Sequence, residues 1–203
     1  AAPDGSRPGR YNINTYAPET RPRFEAEVLA YHESIPGHHL QIAIAQELPA
    51  LPSFRRHMGM TAFVEGWALY TERLSDEMGL YSGDLDRLGM LSFDAWRAGR
   101  MVVDTGIHTK GWSREQAITY FSETLGYSEA DSRAQIERYM VWPGQALGYK
   151  IGSLKILELR HRAEAALGSK FDLRAFHDIV LGEGTLPLAL LEKKVDRWIA
   201  ANK

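Results

Sequence analysis

Apolar residues recur along most of this chain at spacings of three and four, the period of helices that bury one face. A first helical stretch runs from about Arg21 to Leu48 and is interrupted at Pro36-Gly37. A second follows Pro52-Ser53 to roughly Gly79, and a third spans about Asp84 to His108 and stops at Gly111. Ser113, with Gln116 three positions on, has capping-box spacing and opens a helix to about Leu125. Ser128 begins another, which ends near Val141 at Trp142-Pro143-Gly144. The pattern resumes from Gly144 to Leu167, with Gly168 as C-cap, and closes with Leu173–Leu181 and Pro187–Ala201. Tyr11–Tyr16, after a lead-in rich in Pro, Gly and Arg, alternates in the manner of a strand. The chain is therefore expected to be mainly α, a single helical domain over residues 1–203 with one short N-terminal edge strand. A lone strand needs a partner: another chain, further sequence or an extended ligand.

The third helix is apolar over much of its circumference. Leu88, Leu91, Ala95 and Val102 form one side, and Trp96, Val103 and Ile107 another. Between them Arg97, Asp104 and His108 recur at seven and four, so they share a stripe. Such a helix is expected to be buried, its polar stripe facing a cleft or an internal ion-pair network.

Composition narrows the function. A chain of 203 residues with net charge −2 and no long basic run is not expected to bind nucleic acid. No stretch approaches the ~18 apolar residues of a membrane span, and the start has no signal-peptide pattern. The lack of cysteine excludes disulfides and thiol catalysis and suits a soluble protein of the bacterial cytoplasm or periplasm. The sequence opens at Ala1-Ala2-Pro3 without methionine, as a piece of something longer would.

The candidate chemistry lies in Tyr31-His32-Glu33-Ser34-Ile35-Pro36-Gly37-His38-His39-Leu40-Gln41. Two imidazoles on one element supply neutral nitrogen ligands for a metal, and Glu33 beside the first can act as general base. Zinc hydrolases usually carry H-E-x-x-H, one helical turn between histidines. Here His32 is six residues from His38 and seven from His39. On a straight helix six residues turn about 600°, and seven advance about 10.5 Å, too far for ligands bonded at ~2.1 Å. Pro36-Gly37 supplies an irregularity that can bring His38 back towards His32. His38 needs the smaller distortion and is preferred, with His39 a close alternative.

Glu65 is the expected third ligand, since it sits among Phe63, Val64, Trp67, Ala68 and Leu69, where an unpaired carboxylate would be costly. Gly66 beside it permits close approach of another backbone. Glu72, next to Arg73, reads as an ordinary surface residue and is the second choice. Tyr149, about a turn inside the helix after Pro143-Gly144, and His108 are candidate donors to a developing oxyanion. Arg97, Arg138 and Lys150 are candidate partners for a peptide carboxylate.

Together, Asp4-Gly5-Ser6-Arg7-Pro8-Gly9, the His32–Gln41 string, Glu65-Gly66-Trp67-Ala68-Leu69-Tyr70 and Pro143-Gly144-Gln145-Ala146 resemble the bacterial domain-of-unknown-function family 885. The resemblance runs along essentially the whole chain. It implies distant kinship with helical zinc peptidases such as thimet oligopeptidase, angiotensin-converting enzyme and the Taq-type carboxypeptidases. It further implies that this chain is the motif-bearing C-terminal third of a longer protein, whose upstream part completes the cleft. The expected activity is zinc-dependent hydrolysis of peptides, with His32, His38 and Glu65 holding the ion and Glu33 as base. The rival expectations are a metal-free binding or structural module and, with no Glu-x-x-His pair to support it, a helical di-iron protein.

Overall fold

The computed structural model describes residue 2 and residues 6–48, 51–52, 54–55 and 58–203. Its helices are α1 (Ala26–Glu33), α2 (His38–Glu47), α3 (Thr61–Glu77), α4 (Asp84–Lys110), α5 (Arg114–Leu125), α6 (Glu129–Val141), α7 (Leu147–Leu167), α8 (Leu173–Leu181) and α9 (Leu188–Asn202). The fold is mainly helical, and no strand occurs among the described residues. Tyr11–Tyr16, expected as an edge strand, is irregular chain with a bend at Tyr16, and no second strand is present among the described residues for it to pair with. Asp4, Gly5 and Ser53, which belong to expected motifs, lie outside the described residues.

Local chemistry sets several boundaries. The Ser113 hydroxyl accepts from Gln116 N at 3.0 Å and Ser128 from Asp131 N at 3.1 Å, so both expected caps form. Asp172 does the same for α8 through Arg174 N and Ala175 N. After Pro143 the helix restarts at Leu147 rather than Gly144, since residues 143–146 form a turn.

Helices α3 and α7 cross at the centre with their backbones in contact. A Cβ on Gly66 would lie 2.5 Å from Gly152 Cα, and one on Gly152 would overlap the Ala62 carbonyl oxygen. Only glycine allows this approach. Around the crossing, Phe63, Trp67, Tyr70 and Leu74 pack with Ile156, Leu159, Phe176, Val180, Leu191 and Val195 from α7, α8 and α9. A second core joins α4, α5 and α6 through Val103, Phe121, Ile136 and Tyr139. A third seats α1 on α4 through Val28, Tyr81, Met90 and Phe93.

The α4 helix departs from the expectation of full burial. Its Val103 side is packed, while Leu88, Leu91 and Val102 are exposed because no neighbouring element covers that face among the described residues. Two residues of its polar stripe are internal, Arg97 and Asp104, and Asp104 accepts from Gly144 N at 3.1 Å, while His108 at the helix end is exposed.

A part-buried polar chain ties α3 to α7 and α8. Arg160 donates to the Tyr70 hydroxyl at 3.2 Å, and Tyr70 donates to His177 Nε2 at 2.7 Å. Burial, reinforced by the Arg160 charge, lowers the His177 pKa from 6.5 to about 4.

Two outcomes follow from these contacts. Gly152→Ala is expected to destabilise the protein by about 2–3 kcal/mol or to prevent folding, as overpacking at a backbone contact does, which denaturant titration measures. Between pH 6.5 and 4 an unfolded chain takes up a proton at His177 that the folded protein refuses. Stability therefore falls as pH drops through that window, by on the order of 2 kcal/mol after discounting for partial exposure. His177→Gln, which keeps an acceptor for Tyr70, is expected to flatten that slope in urea melts at pH 7, 5.5 and 4.5.

Candidate metal centre

His32 occupies the last turn of α1, and the chain then reverses through residues 34–37 so that His38 opens α2. The turn contains a cis Ile35–Pro36 bond. Ser34 O accepts from His39 N at 3.1 Å, which closes the turn on itself. Gly37 is buried against the end of α1, where a Cβ would overlap the carbonyl oxygens of Tyr31 and His32. The Trp67 indole donates to Pro36 O at 2.9 Å and so ties the turn to α3 two residues from Glu65. The helix break thus folds the His32–Gln41 string back on itself, and the Glu65–Tyr70 string fastens it.

The result brings His32, His38 and Glu65 together, one ligand atom from each lying within 4.8 Å of the others. Glu65 Oε2 is 3.1 Å from His38 Nε2 and 3.6 Å from His32 Nε2. Two donors bonded at ~2.1 Å to a tetrahedral ion stand about 3.4 Å apart, so these separations fit zinc. The other ring nitrogens are engaged elsewhere. His32 Nδ1 is 2.7 Å from Glu72 Oε1, and His38 Nδ1 makes a longer contact of 3.4 Å with Gln41 Oε1. An acceptor at Nδ1 fixes the tautomer that leaves Nε2 free to ligate, the usual support of a metal-binding histidine.

Glu72 corrects the reading from sequence. It is completely buried, not a surface residue, and it supports His32 from behind while Arg97 Nη2 lies 3.8 Å from the same oxygen. The Arg97 guanidinium rests on the Phe93 and Trp96 rings at 4.4 and 4.5 Å. The signal was periodic: Glu72 falls one heptad after Glu65, two turns along the same helix face, and the neighbouring Arg73, which is exposed and pairs with Asp94, is what made it read as a surface residue.

Electrostatics bind the triad even without an ion. Burial pushes the Glu65 carboxyl up, but hydrogen bonds from His32 and His38 outweigh it and hold the group well below the ordinary carboxylate range. Burial likewise opposes a proton on His32, and its hydrogen bonds to Glu65 and Glu72 outweigh this and raise the pKa.

The remaining candidates divide. Glu33 and His39 are exposed and line an open groove of about 590 Å³ that also contains His38. Tyr149 stacks on His32 with ring centroids 6.3 Å apart, and the Arg100 guanidinium lies 4.8 Å from its ring. His108 is held elsewhere: its Nε2 donates to the Tyr139 carbonyl at 3.0 Å. It lies eleven residues beyond Arg97, about 16 Å along α4 from the Glu72 contact. Lys150 pairs with Asp94, and Arg138 reaches Gln145 at 3.5 Å.

Comparison with known proteins places this arrangement in a lineage. The profile of the bacterial proteins of unknown function DUF885 matches residues 1–195. The chain belongs to the DUF885 family. A crystal structure of a "putative lipoprotein" from Colwellia psychrerythraea is 52% identical and superposes with a TM-score of 0.94 over 98% of this chain. A "putative lipoprotein of unknown function" from Shewanella oneidensis is 30% identical, with a TM-score of 0.78 over 84%. This DUF885 chain spans about a third of the length of those relatives, 34% and 31% respectively. No curated protein matches it.

If Glu72 orients His32, Glu72→Ala should lower zinc affinity by about 10–100-fold, with Glu72→Gln retaining more of it. Competitive titration against a chromogenic chelator measures this. Unchanged affinity in both variants would assign Glu72 to stability alone.

Proposed function

We propose that this DUF885 chain carries the catalytic centre of a zinc-dependent peptidase of helical, zincin-like architecture. The observation that carries the reading is the spacing of His32 Nε2, His38 Nε2 and Glu65 Oε2, beside an open groove that also contains Glu33. Three protein ligands with an open side are the pattern of catalytic rather than structural zinc. The distant kinship that the family resemblance implies with helical zinc peptidases points the same way.

His32, His38 and Glu65 would hold the ion, which supplies Lewis acidity that lowers the pKa of water to ~7 and polarises a carbonyl. Glu33 takes the proton of the attacking water and delivers it to the leaving amine nitrogen. Glu72 holds the His32 ring in place through Nδ1. Tyr149, stacked on His32, is the donor available to a developing oxyanion, a contribution worth about 3 kcal/mol where such donors have been removed. His108 has no part in this scheme, because its ring is committed to Tyr139. An envelope location fits the lipoprotein names of both relatives.

A second reading, a metal-free module, is favoured by one observation: the same three side chains satisfy one another as ion pairs at 3.1 and 3.6 Å. Elemental analysis of the unchelated chain separates the two. The peptidase reading expects about one zinc per chain, lost in His32→Ala. In the zinc-loaded chain Glu33→Gln is expected to retain the metal and lose about 10²–10⁴-fold in peptide turnover. Zinc binding with full activity in Glu33→Gln rules out the assigned base, and absence of zinc after reconstitution favours the metal-free module.

A further inference from the structure

The groove beside the triad contains apolar groups that the catalytic scheme leaves unused. Leu29, Ile35 and Ile42 are 39%, 60% and 44% exposed, and all three line the same groove as Glu33 and His38. Their positions follow from helix geometry. Leu29 is one turn before Glu33 on α1, Ile42 is one turn after His38 on α2, and Ile35 sits in the turn that joins the helices. Glu33 and His38 thus each have an aliphatic neighbour on their own helix face. Scattered exposed aliphatic residues need no explanation, but three that converge on one concave site, together with Arg10, Tyr11, Asn12 and Glu33, give that groove an apolar wall beside its polar groups.

We infer that this groove is a subsite for a bulky aliphatic or aromatic side chain on the substrate residue that supplies the leaving amine. The inference rests on the peptidase reading for its chemistry and names the substrate class: peptides with Leu, Ile or Phe immediately after the cleaved bond. The side of the bond follows from Glu33. That carboxylate hands its proton to the leaving nitrogen, and Leu29 shares its helix face, so the half of the peptide bearing that nitrogen lies along the aliphatic wall. The groove volume of about 590 Å³ accommodates a large side chain together with adjoining backbone.

Calorimetric titration of the zinc-loaded chain with the product-like tripeptides Leu-Gly-Gly and Asp-Gly-Gly reads the groove without requiring turnover. Leu-Gly-Gly is expected to bind at least about 10-fold more tightly, in line with the discrimination a hydrophobic pocket gives. Ile42→Gln and Leu29→Gln, both at exposed helix positions, are each expected to abolish that preference while zinc content stays the same. Equal binding of the two peptides, no binding of either, or a preference that survives both substitutions would overturn the inference. Quenched fluorescent peptides that differ only at the residue after the cleaved bond provide the second readout. A leucine preference in binding with no hydrolysis of any peptide leaves the subsite standing and removes the peptidase reading. Hydrolysis without that preference does the reverse.

Discussion

The candidate metal centre is built on the crossing of α3 and α7 at Gly66 and Gly152, which seats the helix that carries Glu65 and Glu72 against the one that carries Tyr149. The two backbones approach so closely there that no side chain fits between them. Glu65 adjoins the contact on α3, and Tyr149 lies between the α7 glycines Gly148 and Gly152 that also face α3. The crossing therefore fixes the Glu65 carboxylate and the ring stacked on His32 relative to each other. Glu72, two turns beyond Glu65, inherits the same orientation and meets His32 from the opposite side. A wider crossing would carry Tyr149 away from Glu65 and His32 by about the thickness of a methyl layer, and the stacking on His32 would be lost.

The second element is a turn that works as a hinge pin. Glycine at position 37 lets α2 start directly against the last carbonyls of α1, and Trp67 fastens that turn to α3. Two strings far apart in the chain, His32–His38 and Glu65–Trp67, are thereby joined by a hydrogen bond as well as by the triad. This accounts for a histidine spacing too long for a regular helix: the second histidine begins a new helix.

Charge around the centre is arranged in layers. Glu65 lies between two imidazoles, His32 between two carboxylates, and Glu72 between His32 and Arg97. Arg97 in turn rests on aromatic faces, which lessens the cost of burying its charge. In an alternating series of this kind each charge faces an opposite partner, and one donor atom from each of His32, His38 and Glu65 could hold an ion. It leaves the open side of the centre to Glu33 and the aliphatic groove.

By itself the sequence determined the helical class, the caps at Ser113 and Ser128, the break at Pro36-Gly37, and the residue types able to hold a metal. These are local properties: periodicity, side-chain hydrogen bonds to nearby N–H groups, and the backbone limits of proline and glycine. The strand expected at Tyr11–Tyr16 failed because alternation shows only that a segment suits a sheet, and pairing needs a second strand. His108 shared a stripe with Arg97 and Asp104, yet a 27-residue helix reaches past the site, and its end packs on Tyr139. The tertiary structure alone decided that His38 faces Glu65, that Glu72 is buried behind His32, and that one side of α4 stays uncovered. Each of these is a contact or a gap between helices distant in sequence, set by how closely the backbones pack, and no local pattern encodes that distance.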